Sequence, residues 1–340
     1  MDNPVKLNET YKSIVVTARG GPEVLKIAEN HLRLPEPIEV RIKVLAAPVC
    51  APDISSRYGQ SPFVPKPPFT PGYAVIGKVD AIGDEVNDTS VGDMVGALMA
   101  YGGYAEYAYW NSKELIPVPE TINLTKAAPI ILNYIVAYHV IHRWAKSQAG
   151  DKVLIIGASG GIGTALLELG KLAHLKMYGL ASAKKHPILT EYGAIPIDYK
   201  TQDFVEVLKQ AEPEGLNAVF DGMAGEYFRR GFSVLARGGT LVGYGNPLSL
   251  TGVLKMLSQV ALFTLLPNEK SAKYYSTGVS KFNRSIFQKD WATLFSMLES
   301  GKINPIIMKK FPILEAKEAN ELLESGDVIG SIVLLAPELL

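Results

Sequence analysis

Lys152-Val-Leu-Ile-Ile-Gly-Ala-Ser-Gly-Gly-Ile-Gly163 is the stretch on which the fold turns. Val153 to Ile156 supply the continuous apolar run of a strand covered on both faces of a parallel sheet. Glycines follow at 157, 160, 161 and 163. With no Cβ they let the backbone turn tightly and approach a pyrophosphate, which the unpaired amides of the next helix's first turn then face. Ala158 replaces the first glycine of the G-x-G-x-x-G pattern, so the reading depends on context. Apolar residues at 162, 165, 166, 169, 172 and 173 recur at helical spacing, and Met177 to Ala181 read as a second apolar strand. Strand, glycine turn, helix and strand form the βαβ unit of a dinucleotide site.

The end of that second strand indicates which dinucleotide. NAD-specific sites place an Asp or Glu on the ribose 2′-hydroxyl about 20 residues after the glycines. Leu180-Ala-Ser-Ala-Lys-Lys-His186 holds no carboxylate to repel a 2′-phosphate, and offers a hydroxyl and two lysines to neutralise one. NADPH is expected over NADH. A solvated helix start accounts equally well for either lysine taken alone.

The 340 residues leave room for two domains, and 47% hydrophobic with 20% charged residues suits a soluble globular enzyme. Lys plus Arg and Asp plus Glu each number 34, so no general attraction to nucleic acid or anionic membrane is expected, and small molecules are the expected partners. The one cysteine, Cys50, excludes an internal disulfide and a multi-thiolate zinc site, as suits a reducing compartment. The first nine residues contain no apolar signal core, so a cytoplasmic location is expected. Met256 to Pro267, the most apolar later stretch, is far short of the roughly 20 residues of a bilayer span and reads as a buried or interface helix.

Short β-runs separated by Pro, Gly and Asp fill residues 12–123, among them Ser13 to Thr17, Glu39 to Val44, Ala74 to Val79 and Met94 to Leu98. Prolines at 62, 65, 67, 68 and 71 mark an extended surface loop able to border a cleft. From Leu124 to about Leu266 strands near 153–156, 177–181, 195–198, 217–221 and 240–244 alternate with helices, the pattern of a doubly wound sheet. A helix near 289–299, a strand near 306–311, a helix near 315–325 and a strand from Ile329 to Leu335 follow. The expected architecture is α/β: a Rossmann domain over 125–267, and a discontinuous antiparallel β-rich domain made of 1–124 and 268–340.

Phe69-Thr-Pro-Gly72 with Gly77-Lys-Val79, Ser90-Val-Gly-Asp-Met-Val95, Gly102-Gly-Tyr-Ala-Glu-Tyr-Ala108, the 157–163 turn, Glu191-Tyr-Gly-Ala194, Ile197-Asp-Tyr199 and Leu235-Ala-Arg-Gly-Gly-Thr-Leu-Val242 span nearly the whole chain. In order and spacing they resemble the medium-chain dehydrogenase/reductase superfamily, specifically its zinc-independent, zeta-crystallin-like quinone oxidoreductase branch. The resemblance implies a GroES-like β-rich domain. It implies Ser159, Gly160, Gly161, Ile162 and Gly163 at the pyrophosphate, and Ser182, Lys185 and Tyr199 at the 2′-phosphate. For Tyr199 a half-buried strand position is an equally good account. Gly243, Tyr244, Gly245 and Asn246, with Val136, are implied at the nicotinamide.

Zinc members of the superfamily carry a Cys where Cys50 falls, but Tyr73 and Ala74 stand where their His and Glu would be. One thiolate cannot replace the three or so protein ligands of a catalytic zinc, so no metal is expected. The branch usually has Asn at Cys50, Glu at Ala74 and Thr at Val136, which leaves substrate specificity open. Asp53 matches a family position; it either orients polar groups at a pocket floor or caps a helix starting at Ile54.

The expected chemistry is metal-free hydride transfer from NADPH to a quinone or α,β-unsaturated carbonyl compound, whose delocalised oxygen needs only hydrogen-bond donors. Tyr58 and Tyr73 are the candidate donors and Cys50 the lining residue, against the alternative that these tyrosines only pack. The competing expectations are a zinc-type alcohol dehydrogenase, an enone or haloacrylate-type reductase, and a non-catalytic NADPH-binding protein. A homodimer is expected, with Leu254 to Leu266 and Ile329 to Leu335 as candidate interfaces.

Overall fold

Parallel pairing organises the nucleotide-type half of the chain. The computed structural model describes residues 9–60, 64–245, 250–265, 267, 269–278 and 283–340. Two compact units divide the chain, one taking it to Leu132 and again from Asn283, the other running from Asn133 to Phe282.

In the second unit six strands lie in the order Ile195–Asp198, Lys176–Ala181, Lys152–Ile156, Leu216–Asp221, Leu235–Gly243 and Ser271–Tyr274, every pair parallel. The chain winds outward from Lys152–Ile156 in one direction, then returns to its other side. Val153, Leu154, Ile155 and Ile156 are each at most 1% exposed, as a strand covered on both faces requires. Helix Gly161–Leu172 buries Ala165, Leu166, Leu167 and Leu169, but Leu172 is 43% exposed, so its apolar face stops short of the expected residue. The sixth strand lies beyond the expected boundary at 267. Ser271-Ala-Lys-Tyr274 buries only Ala272 and Tyr275 follows it into the core, too little alternation to read as a strand. Helix Leu250–Leu265 packs Val260 and Phe263 on this core, Phe263 stacking 4.3 Å from Phe232, and exposes Leu254, Leu257, Leu262 and Leu265.

The β-rich unit centres on the 11-residue strand Glu39–Val49, five residues longer than its expected run because Pro48 sits within it. The sheet order is Ile307–Pro312, Ser331–Leu335, Glu39–Val49, Ala74–Ile82, Met94–Leu98 and Ile116–Pro117, with Tyr107–Asn111 also pairing with Glu39–Val49. Its pairs are antiparallel except Ile307–Pro312 with Ser331–Leu335, which are parallel. The last strand starts two residues later than expected. Gly330 has φ +76°, and a Cβ there would fall 2.6 Å from the Ile306 carbonyl oxygen, so the chain turns before it extends. Strands Thr10–Val16 and Leu25–His31 form a separate antiparallel pair. The helical stretch Leu124–Ala145 is long and apolar enough to cross a bilayer, and it is mostly buried in the protein, as core helices are.

Candidate functional site

The phosphate-type cradle is built by backbone. After Ile156 the chain turns at Gly157, φ +83°. The Ala158 N–H donates to Leu180 O at 3.1 Å, tying the turn to the next strand's end, and the Gly160 N–H donates to Gly157 O at 3.2 Å. Gly160 is the N-cap of helix Gly161–Leu172. A Cβ on Gly163 would lie 2.2 Å from Gly157 O and 2.5 Å from the Ala158 carbonyl carbon, so only glycine lets the first helical turn rest on the loop. The amides of Gly161, Ile162 and Gly163 have no acceptor within the helix, and its dipole adds positive character there. The cradle therefore fits an anionic pyrophosphate.

Beside it, Ser182 caps the short turn Ala183–Lys185, whose Lys185 N–H closes on Ser182 O at 2.8 Å. Ser182 and Lys185 are each only 8% exposed, so Lys185 is not a solvated helix start. Asp198 pairs with Ala181 in parallel register, which brings Tyr199 to the same strand ends. Tyr199 lies one residue past its strand and is 46% exposed, rather than half-buried within it. The nearby Asp198 carboxylate accepts from the Lys200 N–H and the Thr201 hydroxyl, bonds that hold its pKa low and commit it to its own turn.

On the other side of the glycine turn, Gly222 N–H donates to Ile156 O at 3.3 Å, and the Tyr244 and Gly245 amides donate to Asp221 O at 2.9 and 3.3 Å. Gly222 and Gly245 approach so closely that a Cβ on Gly245 would meet Gly222 O at 2.5 Å, while the Tyr244 ring lies against Gly222. The Gly243–Gly245 segment thus adjoins the glycine turn's strand end. Asn246 lies outside the described residues. Val136 is buried in helix Ile135–Tyr138, which packs against helix Gly161–Leu172.

In the β-rich unit, helix Ala51–Arg57 starts three residues before the expected Ile54, with Cys50 as its N-cap. Asp53 is therefore a first-turn residue rather than the cap. Its Oδ2 accepts from the Cys50 N–H at 2.9 Å and the Tyr104 hydroxyl at 2.7 Å, and its Oδ1 from the Gly72 N–H at 3.2 Å. Burial pushes this carboxyl up to about 6 although all those donors oppose the rise. Burial first, then the Asp53 charge, pushes the Cys50 thiol well above its ordinary range, so it is poorly suited to attack as a thiolate. Tyr73 is half-buried, its carbonyl accepting from the Met99 N–H at 2.8 Å.

Cys50, Asp53 and Gly72-Tyr73 thus come together. Tyr58 stands at the other end of the helix, 42% exposed, with the Arg57 guanidinium 4.9 Å from its ring centre. Tyr104, fully buried on Asp53, carries a role the sequence did not signal, because an aromatic inside a β-run looks like packing. Asp221 gives no stronger a signal, since in the sequence it reads as the polar end of an apolar strand. Among the described residues no group of three or more His, Cys, Asp or Glu side chains gathers as a metal site would.

Residues 36–120 match the alcohol dehydrogenase GroES-like domain, and residues 193–334 match the family described as zinc-binding dehydrogenase. The chain belongs to the medium-chain dehydrogenase/reductase superfamily, a family of oxidoreductases. The Danio rerio synaptic vesicle membrane protein VAT-1 homolog is 28% identical to it, over 96% of this chain and 70% of its own. Mus musculus quinone oxidoreductase is also 28% identical, over 95% of this chain and 97% of its own. The structure of Escherichia coli quinone oxidoreductase complexed with NADPH superposes with a TM-score of 0.84 at 26% identity, covering 95% of this chain and 99% of that one. Within the superfamily the chain falls in the zeta-crystallin-like branch of quinone oxidoreductases and VAT-1 proteins.

Proposed function

We propose that this protein is an NADPH-dependent, zinc-independent reductase of quinones or α,β-unsaturated carbonyl compounds. The observation that carries the reading is the glycine cradle at 157–163 joined to a strand end bearing Ser182 and the buried Lys185. The NADPH complex of the E. coli relative supports the same cofactor. Ser159 and the amides of Gly160 to Gly163 would hold the pyrophosphate, and Ser182, Lys185 and the exposed Tyr199 the 2′-phosphate. Gly243 to Gly245 would border the nicotinamide. When bound, the cofactor supplies the hydride.

The protein's own residues bind, orient and donate hydrogen bonds. The donor set favours metal-free chemistry, because Tyr73 and Ala74 follow Gly72 and Cys50 is the one cysteine of the chain. Without a Lewis acid, substrates that spread the developing negative charge over a conjugated system are preferred, since neutral donors then suffice. Asp53 is a positioning residue: it fixes the backbone of both Cys50 and Gly72 and so the approach of Tyr73. Tyr73 is the better donor candidate, Tyr58 being turned to Arg57 at the far end of its helix.

The test is fluorescence titration with NADPH and NADH, followed by oxidation of the tighter cofactor against quinones, enals and simple ketones. Preferential NADPH binding with turnover of conjugated acceptors only is the expected result. Equal affinity for the two cofactors sinks the 2′-phosphate assignment, and tight NADPH binding without turnover of any acceptor class refutes catalysis and leaves a binding role.

A further inference from the structure

Asp221 closes the strand Leu216–Asp221, next to Lys152–Ile156, at the point where the order of the parallel sheet reverses. In such sheets ligands bind outside the carboxyl ends of the strands at that reversal. The carboxylate is fully buried. Its Oδ1 accepts from the Met223 and Ala224 amides at 2.8 and 3.1 Å, but Oδ2 has no hydrogen-bond partner. Buried polar atoms are normally satisfied, so an orphan at a ligand-binding edge calls for an explanation.

The surrounding turn is built for something other than stability. Ala224 and Gly225 are consecutive left-handed residues, φ +59° and +63°, and a non-glycine residue stays there only when its surroundings hold it. The Asp221 Oδ1 bonds are what hold it. Burial also pushes the Asp221 carboxyl up to about 6, against the two amide bonds that lower it. Around this carboxyl, side chains are missing at Gly245, where backbone approaches the Gly222 backbone, and at Gly222, where the Tyr244 ring closes in. Met223, at the tip of the turn, is 60% exposed and lies over Gly157.

A dinucleotide whose 2′-phosphate sits by Ser182 and whose pyrophosphate sits on 157–163 runs from Lys176–Ala181 across Lys152–Ile156, and its other half arrives at the end of Leu216–Asp221. We propose that Asp221 Oδ2 is a binding group for the nicotinamide half of the cofactor, accepting a hydrogen bond from its carboxamide N–H or its ribose hydroxyl. Oδ2 is itself buried, so the proposed contact requires the turn that carries the exposed Met223 to open. This inference rests on the NADPH reading above.

Asp221→Asn tests it, because the amide oxygen still accepts from the Met223 and Ala224 amides while the other position changes from acceptor to donor. The expected result is a Kd for NADPH raised at least tenfold, with adenosine 2′,5′-bisphosphate, which lacks the nicotinamide half, bound as by the wild type. The 3-acetylpyridine analogue of NADPH separates the sources. It has no amide N–H, so a carboxamide contact leaves its binding unchanged by the substitution, whereas a ribose contact weakens it as much as NADPH. Unchanged NADPH binding, or equal weakening of the bisphosphate, overturns the proposal. Should the variant not fold, wild-type protein labelled at the aspartate carboxyl carbons serves: NADPH, and not the bisphosphate, should shift the Asp221 resonance, and no shift overturns the proposal. A wild type that binds neither probe refutes the NADPH reading itself.

Discussion

Two glycines of the same turn should respond differently to one added methyl. At Gly163 the new Cβ would lie 2.2 Å from Gly157 O and 2.5 Å from the Ala158 carbonyl carbon. An unstrained C···O contact sits at about 3.3 Å or more, so the methyl is short by roughly 1 Å, and no flexible side chain can yield. The first turn of helix Gly161–Leu172 has to ride outward, at an overpacking cost of about 1–3 kcal/mol. For a unit of this size that lowers Tm by roughly 2–12 °C. It also moves the phosphate-facing amides, so NADPH and NADH both bind more weakly. At Gly160 the nearest atom to a new Cβ is Gly157 O at 3.7 Å, and φ is −76°, which alanine adopts freely. The remaining cost is alanine's poorer N-capping, about 1 kcal/mol or less. Gly160→Ala should therefore hold Tm within about 3 °C and still lose at least about tenfold in dinucleotide affinity, because the methyl points where the pyrophosphate approaches. Differential scanning calorimetry and fluorescence titration measure the two effects. A Gly160→Ala variant with wild-type affinity refutes the phosphate seat, and a Gly163→Ala variant with wild-type Tm refutes the packing argument.

Lys185→Met keeps the buried stem and removes the charge; it should raise the Kd for NADPH by about 10- to 150-fold, the loss of one charge-assisted contact of roughly 1.5–3 kcal/mol, and leave NADH nearly unaffected. Equal weakening in parallel titrations would make Lys185 structural. Asp53 has a folded pKa of about 6 against 3.8, so its contribution to stability is full below pH 3.8 and is lost as pH rises through 6, on the order of 3 kcal/mol. Asp221, also raised to about 6, titrates in the same window, so chemical denaturation from pH 4 to 7 should show a fall in Asp53→Asn that is smaller than the wild type's by that amount; parallel pH profiles would contradict it. Among the described residues no strand pairs with the outer side of Ser271–Tyr274, and the adjoining helix exposes Leu254 and Leu257. A homodimer through this edge should dissociate in the double variant Leu254→Glu, Leu257→Glu, and light scattering that reports a monomeric wild type ends that reading.

The nucleotide unit is legible because burial on both faces writes its strands as unbroken apolar runs; those around 153–156, 177–181 and 217–221 each begin one residue earlier than expected. Ser271–Tyr274 is the exception for the same reason, being an edge strand with one buried residue. In the β-rich unit the pairing carries register shifts, and there a Pro within Glu39–Val49 and a glycine turn at 330 shift the limits. Backbone features of the site are legible as glycines. Its side-chain pairings are not, since Tyr104 meets Asp53 from 51 positions away and only the fold brings them within 2.7 Å. Asp221 likewise acquires meaning from the strand order, which places it at the reversal.

The replaced first glycine shows what the dinucleotide fingerprint constrains. Ala158 is fully buried, and its methyl lies 3.0 Å from where a Cβ on Gly179 would stand, with Leu189 Cδ2 only 2.6 Å from that same point. The strand Lys176–Ala181 has no side chain at Gly179, and Ala158 and Leu189 crowd the space this leaves. The turn therefore tolerates alanine at 158 because its neighbour gives up a side chain at 179. The constraint is a volume shared by two strands and a helix, not a string of letters within one loop. Glycine is then required in this turn where φ is positive, at Gly157, and where backbone meets backbone, as at Gly163 against Gly157 and Ala158, and a chain with a Cβ at 179 would need glycine back at 158 or a smaller residue at 189.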